Sequence, residues 1–295
     1  MFAPPPRTTA QVVVRLSDAL HHPPGDLPEW SKFQRPGVPA ASFIEGPVFD
    51  AAGALWFCDI PYGRLFRCSN HHDIEVAHQY AGEPNGLALG PDGCIYIADY
   101  SEGLLRFDPQ TNERTTIIGK VAGSRFKGLN DLIFSTTGDL YFTDQGSSGL
   151  HDPTGRVYRL RPTGQLDLLL DNVPSPNGLA LSPDEHTLFL AVTRDNAIWR
   201  VPLLPDGGVM KVGAFIRLSG GSGPDGLAMD PKGNLVVCHF GLGVVWVFNP
   251  SGEPIRRIDS PAGKLITNAT FSMDGRSLFI TESGTGSILR AEVDW

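Results

Sequence analysis

The chain has 295 residues, 34 of them Gly and 25 Pro, and sets 24 Lys/Arg against 32 Asp/Glu for a net charge of −8. That length buries a large core, as one domain if the architecture is a closed β structure, and so much Gly and Pro suits many tight turns better than long helices. An acidic chain with no basic block excludes a nucleic-acid backbone as partner, and no run approaches the about 18 apolar residues of a membrane-spanning helix.

The first residues, Met1 to Arg7, lack the apolar centre of a signal peptide. Residues 1–10 are rich in Pro and Thr and read as mobile. Residues 11–16 (Gln-Val-Val-Val-Arg-Leu) read as a strand. Residues 17–40 carry Pro23, Pro24, Pro28, Pro36 and Pro39 and read as loop, tucked against the body by Trp30 and Phe33. A short turn near residues 16–21 is the nearest approach to a helix, since no segment shows apolar residues at helical spacing with caps.

From residue 41 one pattern repeats six times: a polar head residue, a short apolar strand, a tight turn and a second apolar run. It is clearest in Pro176-Asn177-Gly178-Leu179-Ala180-Leu181, with its turn at Ser182-Pro183-Asp184 and a second run at 188–192. The heads are Glu45, Asn85, Asn130, Asn177, Asp225 and Thr267 (or Asn268, one along). They recur at intervals of about 40–50 residues, the period of a propeller or a similar array. Two apolar runs around a Gly/Pro/Asp cluster make a β-hairpin. Third and fourth strands follow, so the first unit reads as 44–49, 54–58, 64–68 and 74–80. The sixth unit ends before its outer strand, which Val12-Val13-Val14 supplies. The expected fold is all-β: a six-bladed β-propeller of four-stranded blades, the last closed by the N-terminal strand. Residues 1–40 form an arm and 41–295 the propeller.

Cys58, Cys68, Cys94 and Cys238 form no C-x-x-C pair and fall mostly in or beside the apolar runs. Buried, reduced thiols and a cytoplasmic location are therefore expected. The adjacent His71 and His72 read as solvated surface in an outer loop.

The head residues are far apart in sequence but occupy one end of the channel-lining strands, so symmetry brings them together on the axis. Taken alone, Asn85-Gly86 reads as a turn. The ring departs from the turn rule at Glu45, a poor turn former, and at Asn130, which precedes Asp131. Two carboxylates and several amide oxygens suit one hard divalent cation: calcium, or magnesium or manganese. Zinc is possible but prefers imidazole or thiolate. Without a cation, Glu45 and Asp225 repel and one pKa rises.

Residues 43–291 resemble the gluconolactonase/regucalcin (senescence marker protein) family of six-bladed propellers. The likeness rests on Glu45-Gly46-Pro47, the run 55–60, Asn130-Asp131-Leu132 with the run 141–144, Pro176-Asn177-Gly178-Leu179, Pro224-Asp225-Gly226-Leu227, and Thr267-Asn268 before Phe271. The resemblance implies a divalent metal held by Glu45, Asn177 and Asp225, with Asn130 in or next to its shell, and hydrolysis of a small-molecule lactone, often a sugar lactone. The set is also similar to that of diisopropyl fluorophosphatase, whose Asn-Asp pair matching Asn130-Asp131 contacts calcium. A phosphotriesterase and a non-catalytic metal-binding propeller are therefore the competing readings. Asp225 is the expected general base, or on the phosphatase likeness a direct nucleophile, while Asp131 orients a ligand. Hairpin geometry puts Tyr62, Tyr100, Arg125, Phe126, Lys127, Gln145, His151, Arg194 and His239 on the rim beside Asn85, with the loop 144–156 covering the pocket. Many sugar lactonases of the family carry a basic or polar residue two before the Asn-Asp pair. Here that place is Gly128; Arg125 or Lys127 is the substitute, and an apolar rim points to a less hydroxylated lactone.

Overall fold

The computed structural model describes residues 3–23, 28–35, 37–38, 41–70 and 73–295. Among these, six sheets follow one another in chain order as the blades of a β-propeller. Blade 1 comprises Ile44–Phe49, Leu55–Asp59, Arg64–Ser69 and Asp73–Gln79. The inner strands of blades 2 to 6 are Pro84–Leu89, Leu129–Phe134, Pro176–Leu181, Gly223–Met229 and Ile266–Phe271. Short polar side chains set the turns between inner and second strands. Asp50 Oδ1 accepts from the N–H groups of Ala52 and Ala54, and Asp230 Oδ1 does the same for Lys232 and Asn234, so each side chain fixes its own turn.

The core lies between blades. Trp56, Leu65, Leu87, Ile95 and Phe107 fill the seam of blades 1 and 2. Phe57, Phe66, Phe279 and Ile288 fill that of blades 6 and 1. Burying one such side chain stabilises by about 1.5–3 kcal/mol, so the ring is held together at every seam.

The chain closes as expected, with Gln11–Arg15 pairing antiparallel to Ser287–Glu292 as the outer strand of blade 6. Three features of the arm differ from expectation. Residues 7–9 are ordered: Arg7–Thr9 runs parallel to Pro254–Asp259 as a fifth strand of blade 5. Its anchors are the Arg7–Asp259 ion pair (2.9 Å) and the Arg257 N–H bond to the Pro6 carbonyl (3.0 Å). Prolines restrict the preceding chain to extended shapes, and Thr8-Thr9 suit an edge strand. Secondly, the expected loop holds two short helices, α1 (Asp18–His21) and α2 (Glu29–Gln34). The first lies on the anticipated turn. The second starts after Pro28, whose fixed φ leads into a helix, with Glu29 in its first turn complementing the helix dipole. Thirdly, Trp30 packs against Phe43 and Ile60, but Phe33 is 77% exposed rather than tucked in. Pro24, Pro36, Pro39, His71 and His72 lie outside the described residues. All four cysteines are buried and free.

An acidic residue ending a second strand clamps the start of its own blade. Asp59 accepts from Phe43 N (2.8 Å), Asp99 from Glu83 N (2.9 Å), Asp144 from Gly128 N (2.9 Å) and Glu282 from Leu265 N (3.1 Å). Each of these amides stands two residues before a head residue (Glu45, Asn85, Asn130 or Thr267), so each clamp fixes where a head side chain starts. In blade 1, Arg64 joins the clamp, donating to Asp59 Oδ2, to the Leu20 carbonyl (2.7 Å) and to Ser42 Oγ (2.8 Å). Burial raises the Asp59 pKa to about 6, against the pull of Arg64.

Arg64→Ala leaves the buried Asp59 carboxyl without its ionic partner, and removing one partner of such a pair costs about 3–5 kcal/mol. Chemical unfolding at neutral pH measures the loss; a change below about 1 kcal/mol, the scale of a surface pair, would show that the clamp does not hold the arm.

Candidate active site

The inner strand of every blade shifts register at its head residue: at Glu45/Val48, Pro84/Gly86, Leu129/Leu132, Pro176/Leu179, Pro224/Leu227 and Ile266/Ala269. Such a bulge re-aims side chains away from strict alternation. Glu45, Asn85, Asn130, Asn177 and Asp225 consequently line one cavity of ≈ 1000 Å³, and all five are buried. The sixth blade differs. Thr267 turns into the seam, its Oγ1 bonding to the Ile44 carbonyl (2.9 Å) and to Thr281 Oγ1 (2.7 Å). Asn268 takes the axial place.

The residues after the heads are Gly46, Gly86, Asp131, Gly178, Gly226 and Asn268. The glycines belong to strands, so the turn reading of Asn85-Gly86 does not hold. They are there for close approach. A Cβ on Gly86 would sit 2.5 Å from Asp131 Oδ1, and one on Gly226 would sit 2.1 Å from Asn268. Glycine in blades 2 and 5 thus makes room for side chains from blades 3 and 6, which stand opposite each other in a six-membered ring. Asn268 Nδ2 donates to Asp131 Oδ2 across the axis (3.3 Å). Asp131 lies under the cavity floor, not on its wall.

Three buried carboxyls therefore share the axis, and their proton affinities rise together. Burial lifts Asp225 to about 8, with Asp131 adding repulsion and with Asn177 and Arg194 opposing. Burial lifts Asp131 to about 7, opposed by the Leu132 N–H and Asn268. Glu45 is pushed well above the carboxyl range by burial, then by Asp225 and Asp131, against the Gly46 N–H (2.7 Å) and Asn268. Among the described residues no three His, Cys, Asp or Glu side chains form a metal-holding group by themselves. Here two carboxylates face the cavity with amides between them.

The Asn130 amide has a set orientation. Its Nδ2 donates to Gln145 Oε1 (3.1 Å), and Gln145 Nε2 donates to Ser175 Oγ (3.0 Å). That leaves Asn130 Oδ1 as the acceptor it can offer to the cavity, an assignment that follows from the hydrogen-bond network.

Around the wall, Tyr100, Gln145, His151 and Arg194 stand where the rim was expected, and residues 145–151 form one side. Five expected rim residues are elsewhere. Tyr62 stacks on the Arg64 guanidinium (4.9 Å). Arg125 is exposed on a two-stranded hairpin, Lys120–Val121 with Ser124–Arg125. Phe126 packs in the core against Phe142 and Tyr158, and the Lys127 ammonium bonds to Thr154 Oγ1. His239 is 1% exposed. Its Nδ1 accepts from Trp246 Nε1 (3.2 Å), so Nε2 carries the hydrogen donated to the Gly220 carbonyl (2.9 Å), and burial lowers its pKa. This is a neutral histidine holding the loop ahead of Asp225. Spacing within the hairpins does not reveal that these side chains turn outward or into seams. What the sequence reading missed is the arm's share of the wall: Trp30, Phe33, Gln34, Arg35 and Val38 all line the cavity. The one signal was the apolar pair Trp30 and Phe33 in a Pro-rich stretch.

Against known proteins, residues 43–284 match the family model described as the SMP-30/gluconolactonase/LRE-like region. The chain is 34% identical to the gluconolactonase of Zymomonas mobilis over 250 residues, covering 77% of this chain and 69% of that protein. It is 30% identical to lactonase drp35 of Staphylococcus saprophyticus over 244 residues, covering 79% and 73%. Among solved structures, the calcium-binding protein regucalcin from Agrobacterium tumefaciens superposes with a TM-score of 0.70 at 26% identity, covering 84% of this chain and 89% of that one.

The raised carboxyl pKa values give chelator-treated protein a characteristic pH dependence. Folded values near 7 and 8 lie above those of an unfolded chain, about 3.9 for Asp, so proton binding at these sites stabilises the fold. That stabilisation is complete below about pH 4 and is lost as the pH rises through about 7–8. Denaturant midpoints are expected to fall between pH 6 and pH 9 without divalent cation and to fall less with it. A flat profile in chelator would contradict the shared field of the three carboxyls.

Proposed function

This chain belongs to the SMP-30/gluconolactonase/LRE-like family, and from that premise we propose that it is a lactonase that needs one divalent cation and opens a small lactone to its hydroxy acid. The observation that carries the reading is the convergence of Glu45, Asp225, Asn130 and Asn177 on one cavity floor.

The floor fits a divalent cation on its own chemistry. Glu45 and Asp131 are opposed only by amide donors, and the acidity of all three carboxyls is suppressed. Holding them ionised together calls for a compensating positive charge. Glu45, Asp225, Asn130 and Asn177 would hold it. All-oxygen donors favour a hard ion such as calcium, with magnesium or manganese as substitutes, over zinc with its preference for nitrogen and sulfur. The calcium-binding character of regucalcin agrees with that choice. Once bound, the ion supplies Lewis acidity to the lactone carbonyl and to water.

The protein's own groups supply the rest. Asp225 removes a proton from the water whose oxygen bonds to the carbonyl carbon. Burial strengthens it as a base, and a cation held beside it would pull its proton affinity back down. The ring C–O bond then breaks, and the proton passes to the leaving oxygen. Gln145 holds the Asn130 amide in one orientation, so that group reorganises little during the reaction. Asp131, under the floor and tied to Asn268, fixes the axis from below.

Lactone opening followed at constant pH in the presence of calcium, magnesium or manganese tests the proposal. Asp225→Asn is expected to cost about 10²–10⁴ in turnover, the usual weight of a general base. Full turnover in that variant would remove Asp225 from the role.

A further inference from the structure

Three of the large apolar side chains exposed among the described residues stand on the wall of this one cavity: Phe33 at 77%, Val38 at 38% and Leu150 at 67%. Exposed apolar groups gathered at a cavity mouth mark a binding surface. They continue inward into an aromatic wall, where the Trp30 and Phe43 rings lie 5.1 Å apart and those of Phe43 and Phe240 lie 6.0 Å apart. Gln34 ties the free end of α2 to this wall through Tyr100 Oη (3.0 Å). Gln145, Ser148, His151 and Arg194 give the lining its polar part. The cavity therefore combines an apolar surface, contributed largely by the arm, with polar groups and the buried carboxyls of Glu45 and Asp225.

Two further facts bear on what it accepts. At ≈ 1000 Å³ the cavity stands at the upper end of the range of about 300–1,000 Å³ for ligand sites, more than an unsubstituted lactone ring requires. Phe33 and Val38 also lie ahead of residue 43, where the family match begins. This part of the wall comes from the N-terminal arm and not from the repeated blades. A chain of hydroxyls laid against the Trp30, Phe43 and Phe240 rings would lose hydrogen bonds to water, which is costly, and the polar groups on this wall are few: Arg35, stacked over Phe43 (5.2 Å), Gln34 and Tyr100.

We propose that the arm wall receives an apolar substituent of the lactone, so that the preferred substrate is a ring bearing an alkyl or aryl chain of several carbons. This rests on the lactonase reading above. The carbonyl sits at the floor, the substituent lies along Trp30 and Phe43, and Phe33 and Leu150 close over its far end.

The test is kcat/KM on the full chain with calcium for γ-butyrolactone, γ-hexalactone, γ-octalactone, γ-decalactone and glucono-δ-lactone. Each methylene taken from water is expected to raise kcat/KM about three- to fourfold until the wall is filled, with the long-chain lactones exceeding glucono-δ-lactone. The Phe33→Ala/Leu150→Ala variant, changed at two exposed positions, is expected to flatten the chain-length slope by about half, since two of the apolar surfaces that remove the chain from water are gone. A flat series, a best rate on glucono-δ-lactone, or an unchanged slope in the double variant would each overturn the substituent site while leaving lactone hydrolysis in place. No opening of any lactone with calcium, magnesium or manganese would overturn the lactonase reading, and this proposal with it.

Discussion

Glu45, Asp131 and Asp225 lie in one another's field at a buried axis, and the strand geometry leaves them little freedom to separate. Each comes from a different blade. Moving one away means shifting an inner strand against its neighbours, where the backbone spacing at Gly86 and Gly226 already excludes a Cβ. The repulsion cannot be relieved by relaxation and must be met by protons or by a cation. That is how a scaffold made of ordinary hairpins arrives at a reactive centre.

Two devices hold the arrangement. The bulge repeated in six inner strands turns consecutive residues toward the axis, which is why Asn130 and Asp131 both contribute. The carboxylate clamps at Asp59, Asp99, Asp144 and Glu282 fix the backbone just ahead of a head residue. Blades 4 and 5 have Val192 and His239 at the corresponding place. In blade 5 the buried imidazole holds the Gly220 carbonyl instead. Structural polar groups and candidate reactive groups thus lie within a few residues of each other along the same strands, and the clamps give the axial groups a rigid base.

The propeller was legible because its signal is periodic: six head residues, six turns, and an N-terminal Val-Val-Val run matching a missing outer strand. Convergence of Glu45, Asn85, Asn130, Asn177 and Asp225 followed from that symmetry. Where symmetry breaks, the sequence was silent. Thr267 and Asn268 both fit the head position, and only packing into the seam of blades 6 and 1 decides between them. Tyr62, Arg125 and His239 are near the right end of their strands, but side-chain direction there depends on neighbours remote in sequence, such as Trp246 for His239. The arm has no repeat against which to read it. The proline content of residues 17–40 read as loop, whereas α2 forms because Trp30 finds a pocket made by Phe43 and Ile60, a tertiary contact that overrides weak local propensity.

The most direct test is a crystal structure of the protein with calcium. The account predicts one ion on the propeller axis at the cavity floor, with oxygens of Glu45, Asn177 and Asp225 about 2.3–2.6 Å from it and the Asn130 amide alongside. Density showing those side chains turned apart, with no ion between them, would contradict it.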